Sequence, residues 1–226
     1  MGNCPPFFIA IAPSTMLNIQ SLPKPVGEKR MVFRSLDWAA FKQIQSLLSH
    51  KTNARFTYDS GVLEITMPLK IHERFARLIE LFVRILVVET GQMIKTMGST
   101  TLDREELLKS AEPDDCYYIQ NYPLVADHEV DLQKDPPPDL VVEVDITHTD
   151  IDKVRLYAAM GVPEFWRFNG REWRILCLQK TQYVERQKSP TFPIVEKSDL
   201  YRFLQQAMLN EVAAELDFRQ WVSARV

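Results

Sequence analysis

Two different spacings of hydrophobic residues divide this chain into elements. Trp38, Phe41, Ile44, Leu47 and Leu48 recur every three or four positions, which predicts a helix, with Ser35 placed to cap it. Phe56-Thr57-Tyr58 and Val62-Leu63-Glu64-Ile65 then flank Asp59-Ser60-Gly61, which predicts a hairpin closed off by Pro68. Over residues 71–90 the helical period returns. Phe75, Leu78, Ile79, Phe82 and Leu86 form one apolar stripe, and Gly91 is placed to end the helix. Glu73, Arg77, Glu80 and Arg84 fall on another face, spaced for i,i+4 pairing.

Beyond Gly91 the pattern turns to strands. Residues 93–101 and 116–119 are β-prone, and a loop over 120–136 leads to Pro136-Pro137-Pro138. Residues 140–146, Leu-Val-Val-Glu-Val-Asp-Ile, make the strongest strand pattern in the chain. A helix is expected over 150–160, ended by Gly161. Residues 164–168 and 173–178 flank Asn169-Gly170, a type I′ hairpin signal. Two C-terminal helices are expected, at about 199–209 and 211–224. This order predicts an α/β fold with a central mixed sheet flanked by helices.

Composition narrows the function. Hydrophobic residues are 46% of the 226, enough for a sizeable core. Lys+Arg number 27 against 30 Asp+Glu, a net charge of −3, which excludes a histone-like protein that holds nucleic acid by bulk positive charge. Cys4, Cys116 and Cys177 form no CxxC pair, so neither a disulfide framework nor a zinc spacing is present; a reducing, cytoplasmic location is expected. No apolar run is long enough to cross a bilayer: Arg84 interrupts residues 81–88. The apolar stretch 5–12 lacks a basic region before it and opens on two prolines, so it does not read as a signal peptide. Residues 1–30 read as an N-terminal extension, and 31–226 as a single domain.

Chemistry concentrates around 139–146. Alternation puts Asp139, Val141, Glu143 and Asp145 on one face and Leu140, Val142, Val144 and Ile146 on the other. Either the acidic face is solvated, or the strand is covered and its carboxylates need partners, of which a metal ion is one. Pro113-Asp114 opens the preceding strand, and Lys153 starts the following helix. This set resembles the PD-(D/E)XK nuclease superfamily. Pro138-Asp139-Leu140-Val141-Val142-Glu143-Val144, followed by the run from Asp152-Lys153 to Phe165-Trp166, is similar to its Uma-type branch of restriction-endonuclease-like proteins.

The resemblance implies an αβββαβ core and a metal-dependent endonuclease acting on phosphodiester bonds. Asp114 and Glu143 would hold Mg²⁺ or Mn²⁺, aided by the Val144 carbonyl, with Lys153 assisting catalysis. The position two after Glu143 is Asp145 rather than the Lys of the plain motif, and Lys153 takes that role from the helix. The alternative is a catalytically inactive nuclease-fold module that binds nucleic acid or a protein partner. DNA is the expected substrate and a homodimer the expected assembly, with the Trp166–Trp173 face and the C-terminal helix as its surfaces.

Four more residues stand near this set. His72 reads as a core histidine or a ligand, and Glu73 as an added site carboxylate or the i,i+4 partner of Arg77. Asp139 reads as a hydrogen bonder at the strand start or a further site carboxylate. Asp145 would serve a second ion or a salt bridge with Lys153.

Overall fold

The computed structural model describes residues 29–49, 54–146 and 149–226. Almost all of the expected extension, 1–30, lies outside the described residues; 29 and 30 open the first strand. The first half of the chain runs β1 (Lys29–Phe33), α1 (Trp38–Leu48), β2 (Arg55–Asp59), β3 (Val62–Met67) and α2 (Lys70–Glu89). Then come β4 (Lys95–Thr96), β5 (Leu102–Arg104), β6 (Lys109–Ala111), β7 (Asp115–Tyr118) and the short α3 (Tyr122–Val125). The second half runs β8 (Leu140–Val144), α4 (Lys153–Ala159), β9 (Glu164–Phe168), β10 (Trp173–Gln179), β11 (Gln182–Arg186), α5 (Lys197–Leu209) and α6 (Glu211–Ser223).

The α/β class expected from the pattern holds, and the strands divide between two sheets. One has the order β1-β3-β2-β6-β5 and the other β11-β10-β9-β8-β7-β4. The second sheet is mixed: β8 and β9 are parallel, joined by α4, while β7 pairs antiparallel with β8. The short strands β5, β6 and β11 carry no clear alternation. They are held by their neighbours' ladders rather than by their own pattern.

Turn chemistry explains the element boundaries. Ser60 and Gly61 both have positive φ, 47° and 94°, so the first hairpin closes with the backbone twist its strands need. Ser35 takes φ 61° instead of capping α1; the cap is Asp37, whose Oδ1 accepts from Ala40 N at 2.7 Å. The Leu36 N–H is drawn to Gly61 O, so the chain enters the helix two residues later than the sequence suggested. The expected two-residue turn at Asn169-Gly170 is instead a four-residue connection, with Phe168 opposite Trp173. The side chain of Asn169 accepts from Arg171 N and Glu172 N, and this side-chain turn outcompetes the tighter hairpin.

Strand β8 is buried along its whole length. Leu140, Val142 and Val144 face the main core of α2, α5 and α6, whereas Val141 packs with Leu156 and Tyr157 of α4. A covered strand settles the choice left open above: the carboxylate face does not meet bulk water. Trp166 and Trp173 are buried in the main core, where Phe82 stacks on Phe218 with ring centroids 4.2 Å apart. They therefore offer no exposed face to a second copy, contrary to the sequence reading, because α2, α5 and α6 cover that side of the sheet. Among the described residues, no helix is long and apolar enough to cross a membrane.

Candidate active site at the junction of the sheets

Asp114 ends the loop before β7, and Glu143 lies in β8, the strand beside it. The backbone ties them together: Val144 N donates to Asp114 Oδ2 at 2.6 Å. Continuing the pairing of Asp115 with Val142 by one residue sets Asp114 across from Glu143. The Glu143 carboxylate, 2% exposed, accepts from Tyr157 OH at Oε1 (2.6 Å) and from Lys153 Nζ at Oε2 (2.7 Å).

Helix α4 supplies both donors. Lys153 is its first residue, after the N-cap Asp152, which accepts from Val154 N and Arg155 N. A helical side chain leans toward its own N-terminus, so Lys153 reaches back to the end of β8 and Tyr157, one turn on, lies on the same face. Lys153 Nζ also donates to Asp145 Oδ1 at 2.9 Å, and Asp145 Oδ2 accepts from Arg167 Nε at 2.8 Å.

The other wall comes from the first sheet and α2. Arg55 Nε lies 3.1 Å from Asp114 Oδ1, and the same guanidinium donates to Pro113 O (2.9 Å) and Glu73 Oε1 (3.3 Å). His72 Nε2 lies 3.1 Å from Asp114 Oδ2. Of these groups Arg55, His72, Asp114, Glu143, Asp145 and Lys153 line a cavity of about 20 Å³, room for about one water-sized sphere.

Electrostatics separates the two carboxylates. Burial works against ionising Asp114, but the hydrogen bond from His72 and the charge of Arg55 outweigh it and hold the carboxyl below its usual range. Burial pushes Glu143 up to about 7; Lys153 opposes this, while the Asp145 and Asp114 charges add to it. Burial also works against the Lys153 ammonium, yet Asp145, Glu143 and Asp114 raise its pKa overall. Asp114 and Lys153 are therefore charged at neutral pH, and Glu143 is poised between its two forms.

The structure thus gathers Asp114, Glu143, Val144, Asp145, Lys153 and His72 on one cavity, with Glu73 at its outer edge, half-exposed behind Arg55. His72 is buried, as a core histidine would be, but its neighbour is Asp114. Glu73 bonds Arg55 rather than the expected Arg77, which pairs with Glu80, because the partly buried Arg55 guanidinium draws the carboxylate inward. Asp139 stands apart, at the other end of β8. It accepts from Ile119 N, Asn121 N and Asn121 Nδ2, and so holds the turn after β7.

Sequence reasoning missed Arg55, Tyr157 and Arg167. Arg55 had a signal: alternation with Phe56 and Tyr58 puts it on the face of β2 opposite the core side chains.

The donor set suits a hard cation. Mg²⁺ takes one or two carboxylates and keeps several waters. Asp114 Oδ1, buried in contact with Arg55, makes no hydrogen bond. Among the described residues no group of three or more His, Cys, Asp or Glu side chains converges on a cation position, so water would complete the shell. Residues 38–209 match the family model described as "Uma2: Putative restriction endonuclease". No curated protein matches the chain.

Proposed function

The chain belongs to the Uma2 family of restriction-endonuclease-like proteins, and on that premise we propose that it hydrolyses phosphodiester bonds in DNA with the help of Mg²⁺ or Mn²⁺. One observation carries this reading: the Asp114 and Glu143 carboxylates and the Lys153 ammonium line one cavity of about 20 Å³.

A divalent cation held by Asp114, Glu143 and the Val144 carbonyl would offset the negative charge that develops on the phosphoryl group. Everything else falls to the chain. Arg55 and His72 keep Asp114 ionised; Tyr157 fixes the orientation of Glu143. Lys153 presents a compact positive charge where an attacking water or a phosphoryl oxygen would lie. The covered strand keeps bulk solvent from weakening these charges. A homodimer would bring one such site to each strand of a duplex.

The test is incubation of supercoiled plasmid with the protein and MnCl₂, with and without EDTA. Nicking or linearisation that needs the metal and vanishes in Glu143→Gln is expected; no cleavage of any nucleic acid by the parent contradicts the reading. The second reading, an inactive module, is favoured by one specific observation: Lys153 already satisfies both Glu143 and Asp145. Under that reading Mn²⁺ would leave the melting temperature unchanged.

A further inference from the structure

Asp145 occupies a position where a third site carboxylate could be a ligand, a charge left to solvent, or a support for something else. Its contacts decide among these. The residue is 6% exposed, so it is not a solvated charge. Both of its oxygens already hold cationic donors: Lys153 Nζ at 2.9 Å on Oδ1 and Arg167 Nε at 2.8 Å on Oδ2. A cation seeking Asp145 would have to displace an ammonium or a guanidinium. Asp114 Oδ1 also faces a guanidinium, with Arg55 Nε at 3.1 Å, but that contact is no hydrogen bond, so the oxygen is held less firmly than either oxygen of Asp145.

Lys153 shows what the arrangement achieves. An ammonium carries three N–H donors. Two are taken, by Glu143 Oε2 and Asp145 Oδ1, which leaves one without a protein acceptor among the described residues. Two anchors fix the direction of the third donor; a single anchor would let the group rotate. The side chain lines the cavity, so that third donor is available to whatever enters. Arg167, in turn, is not free to choose its partner's position. It sits on β9 directly across the parallel ladder from Glu143, and its guanidinium reaches the end of β8 to grip Asp145.

We propose that Asp145 is the positioning residue for Lys153: braced by Arg167, it holds the ammonium with one N–H aimed into the cavity, and it is not a metal ligand. This rests on the hydrolase reading for its catalytic consequence and on geometry alone for the positioning.

Two measurements test it separately. In ¹⁵N-lysine-labelled protein, an ammonium fixed by two buried carboxylates gives a slowly exchanging N–H signal, identified by its loss in Lys153→Met. That signal should disappear in Asp145→Ala, which removes the acceptor, and broaden in Arg167→Gln, which leaves Asp145 itself in place should Asp145→Ala fail to fold. A signal unchanged in both variants overturns the proposal. On catalysis, Asp145→Asn should lower kcat about 10²-fold with KM little changed, and Mn²⁺ affinity should stay within about threefold of the parent's. In a Lys153→Met background, Asp145→Asn should cost nothing further, since it acts only through the ammonium. Additive losses, or a large loss of Mn²⁺ affinity in Asp145→Asn, overturn it. A parent inert on every nucleic acid overturns the hydrolase reading instead, and the lysine signal still decides whether Asp145 holds the ammonium.

Discussion

The backbone N–H of Val144 donates to the side chain of Asp114 at 2.6 Å, so the carboxylate that precedes β7 is locked to the residue next to Glu143. Twenty-nine positions apart in sequence, the two acidic residues share one cavity because antiparallel β7 and β8 put them there. The same bond spends one oxygen of Asp114 on the fold and leaves the other, Oδ1, facing Arg55.

Glu143 should make stability depend on pH. Its carboxyl is raised to about 7 from 4.5, so ionisation is disfavoured in the folded state. Stability associated with the protonated form is complete below about pH 4.5 and is lost as pH rises to about 7. Glu143→Gln cannot ionise. Between pH 4.5 and 8 its stability relative to the parent should therefore improve by up to about 3 kcal/mol. Urea melts at several pH values read this directly; parallel pH curves for the two proteins would contradict it.

The same titration should govern metal binding. A cation must displace the Glu143 proton, so Mn²⁺ affinity should rise by up to about tenfold per pH unit below about 7 and level off above it. Calorimetric titrations at pH 5.5, 6.5 and 8 test this. A flat profile would place the metal away from Glu143.

Two buried aspartates should behave differently. Asp139→Ala removes the acceptor of three hydrogen bonds around Ile119 and Asn121, which should cost about 2–4 kcal/mol. Mn²⁺ affinity of the folded fraction should be unchanged. Asp114→Asn keeps an oxygen for Val144 N but loses its charge, and Mn²⁺ affinity should fall at least tenfold. Equal metal affinity in the two variants would refute the assignment.

Much of this was legible in the alternation of residues 139–146 and in the Pro-Asp and Asp-Lys pairs around it. Those patterns give the strand, its acidic face and the helix that follows. The two-sheet division was not legible. β5 and β6 have three residues each, too short for a period; β6 is placed by pairing with β2, and β5 by pairing with β6. The bracing of Asp114 by Arg55 and His72 was hidden for a similar reason: β2 and α2 precede it by tens of residues, and only packing brings them beside it. The Glu73–Arg77 pair was a sound local rule overridden by the partly buried Arg55, whose demand for an anion exceeds what an exposed helix pair supplies.

Tyr157→Phe isolates the orientation of Glu143. The hydroxyl donates to Oε1 at 2.6 Å inside the core, and its loss leaves a buried carboxylate oxygen without that donor. A stability loss of about 1–3 kcal/mol is expected, together with weaker Mn²⁺ binding. Chemical denaturation and calorimetry would show it; a variant as stable and as tightly metal-binding as the parent would remove Tyr157 from the account.

The central claim is that Asp114 and Glu143 share a cation, and anomalous diffraction from crystals soaked in MnCl₂ tests it most directly. One peak is expected about 2.1 Å from a carboxylate oxygen of each residue, near the Val144 carbonyl, with Lys153 still bonded to both Glu143 and Asp145. A map without a peak there at saturating Mn²⁺ would contradict it.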